Sequence, residues 1–118
     1  MNLPHLPPIR FAKEVLSCDE TNASVLCEFP SVPTLPMVVE AAAQSSSAFS
    51  STNAPLMGFL VLVKETLLLE PFSQTTLMVR IEKRLSLGNS CEFYFEAFEK
   101  EGGVKHATGS LMIVLEEQ

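Results

Sequence analysis

The sequence predicts an α+β fold in which an antiparallel sheet wraps around one central helix. Residues 34–49 are mostly small, with apolar side chains at helical spacing, whereas apolar and polar residues alternate with a period of two after Gly58. Small side chains allow other elements to approach a helix closely, so we expect this helix inside the sheet. The chain is long enough for one real core, and we expect residues 1–118 to form a single domain.

The predicted helix covers about residues 35–50 and follows Thr34, whose hydroxyl we expect to cap an amide of the first turn. Pro36 falls in that turn, where its missing N–H costs little. Glu40 is the one charge on the helix, and Gln44 follows it one turn later on the same face. Glu40 is therefore either solvated on an exposed stripe or held in a pocket. The expected buried face carries Val38, Ala41, Ala42, Ser45 and Phe49.

Six strands are predicted, two before the helix and four after it. Gly88-Asn89 and Gly102-Gly103 are expected to close tight hairpins, which makes the last strands antiparallel neighbours. Long apolar strands commonly pair across a sheet edge with another chain, so we expect a dimer or a higher oligomer. The predicted strands cover residues 9–18, 23–29, 58–70, 77–84, 91–97 and 107–115.

Charge and hydropathy exclude several classes of partner. The formal net charge of −6 disfavours nucleic acid, whose phosphates require Lys and Arg, and it disfavours an anionic membrane surface. The most apolar stretch, residues 57–69, is interrupted by Lys64 and Glu65 and is too short to cross a bilayer. No basic segment followed by an apolar run marks a signal peptide. We therefore expect a cytoplasmic protein without a membrane partner.

The cysteines and histidines predict no metal and no cofactor. Cys18, Cys27 and Cys91 lack the spacing of metal ligands and are expected to be small apolar side chains in a reducing compartment. His5 lies in a proline-rich head and is expected to make structural hydrogen bonds. His106 has the outward position in the alternation of the last strand, so it is expected to be exposed.

Four basic residues could form a positive patch on this acidic protein. The pattern favours a solvated sheet face, and it leaves open a docking site for an acidic partner. The four residues are Lys64, Arg80, Lys83 and Arg84.

Five short sequence words follow one another along nearly the whole chain: Leu3-Pro4-His5, Phe29-Pro30-x-x-Pro33, Glu40-Ala-x-Ala-Gln44, Gly58-Phe59-Leu60 and Ala107-Thr-Gly-x-Leu-Met112. Their order and spacing resemble the 3-hydroxyacyl-(acyl-carrier-protein) dehydratases of the FabA/FabZ type. Within that family the chain is most similar to the short dehydratase-like subunits found with aryl-polyene biosynthesis. The resemblance implies a single hot-dog fold, an antiparallel sheet curled around its central helix.

The resemblance also implies a site shared between two protomers that pair edge to edge. In that family a loop histidine of one chain and a helix carboxylate of the other dehydrate acyl-carrier-protein thioesters in fatty-acid or polyene and polyketide biosynthesis. The carboxylate maps onto Glu40. Amides near Met37 and Val38 would hold the thioester carbonyl, and Gly58 would line the entrance of the acyl tunnel. The implied substrate-binding residues are Pro36, Met37, Val38, Gln44, Gly58 and Phe59.

This sequence differs from that family at the catalytic histidine. Glu28 occupies its position before the Phe29-Pro30 motif. The loop before the helix is also shorter and lacks the family's Pro-Gly pair. Glu28 becomes a second candidate acid or base, against the alternative of a solvated residue at a strand end.

Three functions therefore stay open. The first is a dehydratase acting on acyl-carrier-protein or coenzyme A thioesters. The second is a non-catalytic acyl-binding subunit, or a subunit that pairs with a His-bearing paralogue. The third is an acyl thioesterase in which Glu40 activates water.

Overall fold

The computed structural model describes residues 10–49, 56–100 and 103–117, except for the side chains of residues 56–61 and 115–117. Within these residues, two strands, one helix and four further strands follow each other in the predicted order. The helix ends at Ser45 and continues as a short 3-10 turn to Phe49. The elements are β1 (Ala12–Cys18), β2 (Asn22–Glu28), α1 (Leu35–Ser45), β3 (Leu56–Leu68), β4 (Thr76–Leu87), β5 (Ser90–Glu99) and β6 (Lys105–Glu117).

The strands form one antiparallel sheet in the order β1-β2-β4-β5-β6-β3, so β1 and β3 lie at its two edges. The predicted hairpin between β4 and β5 turns at Gly88, whose φ of 58° costs glycine no strain. Gly102 of the other predicted turn lies outside the described residues. Residues 69–75 connect β3 to β4 and pass the ends of β6 and β5. The predicted α+β class is confirmed.

The helix packs its small side chains against the inner face of the sheet, with contacts to β1, β4 and β6. Val38, Ala41 and Ala42 are completely buried, which confirms the predicted apolar face. Thr34 occupies the N-cap position, but its hydroxyl makes no capping hydrogen bond, so that prediction is wrong. Pro36 explains the difference, because it removes one of the two amides that could donate to such a cap.

Gly109 marks a close approach on the inner face of β6. A Cβ at this position would lie 2.6 Å from Cε2 of Phe95 and 3.1 Å from Thr66 Oγ1. Thr66 follows Glu65, which has a φ of 56° at a bulge where the β3–β6 register shifts. The missing side chain of Gly109 therefore leaves the space that Phe95 and Thr66 fill. The buried residues of the predicted inner face are Ala107, Gly109, Leu111 and Ile113.

The three cysteines are free thiols. Cys27 and Cys91 are buried among apolar side chains, as predicted, while Cys18 is exposed. Burial raises the pKa of Cys27 to about 11, although the hydrogen bond with Ser45 opposes this shift. Cys27 is therefore an uncharged part of the core.

His106 is buried, so the prediction of an exposed side chain is wrong. It occupies the outer face of β6, as the alternation indicates, but only 2% of its surface is exposed. The segment after β3 covers it, because the amides of Leu69 and Glu70 donate to the His106 carbonyl oxygen at 2.7 Å and 3.2 Å. The ring of Phe72 lies 5.6 Å from the imidazole.

Two of the four basic residues that could form a positive patch are paired with neighbouring carboxylates. Lys64 pairs with Glu92 at 3.0 Å, and Arg84 pairs with Glu82 at 2.6 Å. Lys83 lies over the ring of Phe49. These contacts support the interpretation of a solvated sheet face. Within the described ranges, no helix is long and apolar enough to cross a membrane.

Candidate functional site

Glu40 lies in the middle of α1 on the face that points away from the sheet. Its neighbours Val39 and Ala41 are buried, because the helical period turns them toward the core, and the same period leaves Glu40 exposed. Gln44 follows one turn later and is half-buried. The carboxylate is therefore held on a rigid element and accessible to a ligand.

Gln44 fastens the start of β1 to the helix. Its side-chain oxygen accepts hydrogen bonds from the amides of Phe11 at 2.7 Å and Ala12 at 3.1 Å. Both of these residues are buried, so the two amides need an acceptor inside the protein. Gln44 thereby holds the beginning of β1 beside the helical face that carries Glu40. We keep substrate binding by Gln44 as a prediction beside this structural role.

Glu28 is exposed at the end of β2, and it is connected to the same region through Phe11. The Glu28 amide donates to the carbonyl oxygen of Phe11 at 2.9 Å. The ring of Phe29 packs on that of Phe11 with centroids 4.8 Å apart. Because the Phe11 amide donates to Gln44, a short chain of hydrogen bonds joins the Glu28 backbone to the helix. The backbone of Glu28 is thus linked to the helix through Phe11 and Gln44.

The first turn of α1 divides the predicted substrate-binding residues between the surface and the core. The Val38 amide donates to the Thr34 carbonyl oxygen at 3.1 Å, and the Val38 side chain is completely buried. Pro36 is exposed and has no N–H, while Met37 is half-buried. The Met37 amide has no carbonyl four residues earlier within the helix, and it lies at the positive end of the helix dipole. Among the predicted substrate-binding residues of this turn, Met37 is therefore the one whose amide has no acceptor within the helix.

The remaining predicted residues are only partly described. The backbone of Gly58 pairs with Leu115, and that of Phe59 pairs with Val114, so both residues belong to the edge strand β3. The Phe59 side chain and His5 lie outside the described residues. Their roles in substrate binding and hydrogen bonding stay predictions.

Phe11 was not singled out by sequence reasoning, although it connects the backbone of Glu28 to the side chain of Gln44. The signal available was weak, because one Phe at the start of a strand is typical of any core. The neighbouring Arg10 donates from Nε to the Ala12 carbonyl oxygen at 3.1 Å, a local hydrogen bond at the start of β1.

The edge strand β3 presents exposed apolar side chains next to its unpaired backbone edge. Between 39% and 58% of the surface of each is exposed. Such an edge is suited to pairing with another chain. The residues are Leu62, Val63, Leu67 and Leu68.

No protein-family model and no curated protein matches the sequence. Among solved structures, the dehydratase heterocomplex ApeI:P from Xenorhabdus doucetiae is similar at 14% identity and a TM-score of 0.77, over 98% of this chain and 89% of that chain. The protein smu.793 from Streptococcus mutans UA159, bound to acetyl CoA, is 12% identical with a TM-score of 0.70, over 97% and 98% of the two chains. A hypothetical thioesterase with coenzyme A from Streptococcus pneumoniae TIGR4 is 12% identical with a TM-score of 0.68, over 89% and 86%.

These similarities cover nearly the whole chain, so they concern the complete arrangement of helix and sheet. At such low sequence identities they describe the fold. They agree with the strand order, the central helix and the sequence resemblance noted above. The chain therefore has the single hot-dog fold, which known structures place in dehydratase and thioesterase proteins alike.

Proposed function

We propose that this chain is a 3-hydroxyacyl-(acyl-carrier-protein) dehydratase-like protein that acts on acyl thioesters in fatty-acid or polyene and polyketide biosynthesis. The observation that carries the proposal is Glu40, an exposed carboxylate in the middle of the central helix of a hot-dog fold. Dehydration requires a base for the α proton and an acid for the departing hydroxyl. Glu40 serves one of these two roles.

The start of α1 supplies electrostatic stabilisation. Loss of the α proton places negative charge on the thioester oxygen, and the Met37 amide at the positive helix end donates to that oxygen. The substrate then lies across the first turn, with its hydroxyl toward Glu40 one turn further along. Glu40 thus acts at the hydroxyl group of the substrate, and the Met37 amide acts at the thioester oxygen.

The second proton-transfer role needs another group. His106 is the histidine of the described part of the chain, and its two ring nitrogens face the Glu70 carbonyl oxygen and the Glu99 carboxylate. Both ring nitrogens of His106 are therefore engaged in these contacts, so we do not assign it the second proton-transfer role. Glu28 fills the second role when the chain acts alone, and a histidine of a second subunit fills it when the chain acts in a pair.

A partner-subunit function is the second candidate, and the apolar edge of β3 favours it. Pairing along this edge would bury Leu67 and Leu68 and would join the sheets of two protomers. The partner is a second copy or a His-bearing paralogue that completes the site around Glu40. The similarity to a dehydratase heterocomplex supports this arrangement.

The test is turnover of a trans-2-enoyl or 3-hydroxyacyl carrier-protein thioester by the purified chain, alone and mixed with a His-bearing hot-dog subunit. Glu40→Gln should lower the rate by about 100-fold or more, the usual contribution of one acid or base. Glu20→Gln changes an exposed carboxylate in the β1–β2 turn and is the matched control. Full activity of Glu40→Gln would refute the catalytic proposal. Turnover only in the mixture would establish the partner-subunit function.

A thioesterase is the third candidate, favoured by neighbours bound to coenzyme A or acetyl CoA. In that case Glu40 activates water at the thioester carbonyl, and a free thiol appears. Thiol release that depends on Glu40, without interconversion of hydroxyacyl and enoyl thioesters, would select this function over dehydration.

A further inference from the structure

A cavity with a volume of about 670 Å³ opens at the C-terminal end of the helical segment. The 3-10 turn after α1 contributes residues 48–49 to its walls, the end of β1 and the following turn contribute residues 18–21, and β4 contributes Lys83. The volume falls within the range of about 300–1,000 Å³ that is usual for small-molecule sites. Among the described residues, neither Glu40 nor Gln44 lines this cavity, so it is separate from the candidate site.

Lys83 brings a positive charge to the inner face of the sheet at this cavity. It pairs in register with Phe93, which is 4% exposed, and directly opposed side chains of antiparallel strands lie on the same face. The Lys83 amide donates to the Thr21 carbonyl oxygen at 2.8 Å and so holds this part of β4 against the β1–β2 turn. The side chain is half-buried, and within the described part of the chain it forms no ion pair with a carboxylate.

The ring of Phe49 supplies an apolar wall beside that charge. The ring is stacked on Phe93 with centroids 5.7 Å apart, and the Lys83 ammonium lies 5.4 Å from the Phe49 centroid. Cation–π attraction favours this placement of the ammonium. Because Phe93 belongs to the core, the wall and the charge keep their positions relative to each other.

The two carboxylates at the cavity, Asp19 and Glu20, leave Lys83 available to a ligand. Oδ1 of Asp19 accepts hydrogen bonds from the amides of Thr21 and Asn22 at 2.9 Å and 2.8 Å, and these bonds lower the pKa of Asp19. Glu20 is exposed in the same turn. Both carboxylates repel an anion in proportion to its charge, so the cavity suits a singly charged anion better than a phosphate ester with several charges.

We propose that this cavity binds a small aromatic monocarboxylate, whose carboxylate pairs with Lys83 and whose ring packs against Phe49. The charge of Lys83 selects an anion, the neighbouring carboxylates limit it to one charge, and the Phe49 ring favours a flat apolar body. The inference does not rest on the proposed function, because the two sites share no residue.

Cys18 reports directly on occupancy of the cavity. Its thiol lies at the cavity wall, 3.4 Å from the Ala48 carbonyl oxygen, and Cys18 is exposed. Cys27 and Cys91 are buried, so a thiol reagent should modify Cys18 first in the folded protein. A ligand in the cavity should cover Cys18 and slow this reaction.

The experiment compares binding of 2-naphthoate and of its neutral amide, 2-naphthamide, to the purified full chain by calorimetric titration. Wild type should bind the carboxylate about tenfold or more tightly than the amide, the contribution of one charge-assisted pair. Lys83→Met should abolish this preference and leave the affinity for the amide unchanged. Lys13→Met removes an exposed lysine of β1 that lies outside the cavity and should keep the preference.

Alkylation of Cys18 by iodoacetamide, followed by mass spectrometry, locates the bound molecule and needs the wild type alone. With 2-naphthoate at about ten times its Kd, alkylation should slow about tenfold, in proportion to the fraction of empty cavities. Absence of binding, equal affinity of wild type for the two compounds, or binding that leaves the alkylation rate unchanged would overturn the proposal.

Discussion

The two edge strands of the sheet, β1 and β3, differ in how well suited they are to pairing with a strand of another chain. β1 has seven residues, two register irregularities against β2, and the charged residues Lys13 and Glu14 in exposed positions. β3 has 13 residues, and exposed leucines and a valine lie between positions 62 and 68. Both edges have bulges, but the charge of Lys64 on β3 is directed to Glu92 within the same sheet.

This difference indicates which edge can accept another chain. Bulges, short length and exposed charge protect an edge from pairing, and β1 combines all three. The exposed Val15 and Leu16 of β1 are too few to form a continuous apolar surface. The hot-dog sheet thus has one closed edge and one open edge, and the open edge belongs to the strand that contains Gly58 and Phe59.

A charge on the open edge should give the largest effect. Leu67 is 58% exposed on β3, and Leu67→Glu should weaken self-association or pairing by about 100-fold or more, since two leucines are lost from a symmetric interface. Leu16→Glu on β1, where the native residue is 48% exposed, is the matched control and should leave association unchanged. Sedimentation velocity over a concentration series measures both. Equal weakening by the two variants would contradict the assignment of the open edge.

Loss of the Gln44 acceptor should destabilise β1, the closed edge of the sheet. The effect should be smaller than that of a charge on the open edge. Gln44→Met keeps the length of the side chain but leaves the amides of Phe11 and Ala12 without their acceptor, at a cost of about 1–3 kcal/mol. Hydrogen exchange should accelerate at these amides and along β1. Ser47→Ala on the exposed face of the same turn region should change stability by less than about 0.5 kcal/mol. Unchanged exchange at Phe11 would show that Gln44 is dispensable for the strand.

The smallest expected effect is a gain in stability at the bulge of the open edge. The hydroxyl of Thr66 is buried and, among the described atoms, has no hydrogen-bond partner. Thr66→Val keeps the shape and removes the unpaired hydroxyl, so unfolding should cost about 1 kcal/mol more. Thr75→Val at an exposed position is the control and should be nearly neutral. A loss of stability in Thr66→Val would mean that the hydroxyl has a partner in solution.

The fold was predictable because its signals are local. Alternation with a period of two shows which side of each strand is buried, and the Ala-rich stretch shows where the helix lies. Val38, Ala41 and Leu111 were therefore placed correctly from their immediate neighbours. Hairpin turns such as Gly88-Asn89 also depend on adjacent residues alone.

The contacts that the sequence did not reveal join distant parts of the chain. His106 is covered by a residue 36 positions away, and alternation carries no information about such a cover. Gln44 binds an amide 33 positions away, so its polar character was visible but its partner was not. The helical position of Glu40 was predictable from the sequence, but whether it is exposed or held in a pocket was not, because that depends on elements distant in the chain; the structure leaves it exposed.

Gly109 has a consequence for related sequences. The glycine is required because Phe95 and Thr66 occupy the place of its side chain, and this requirement arises from packing alone. A homologous chain would need glycine at this position whatever its activity, provided that it keeps a large ring at the position of Phe95. Retention of the glycine over evolutionary time would therefore report that a chain still builds this curved sheet.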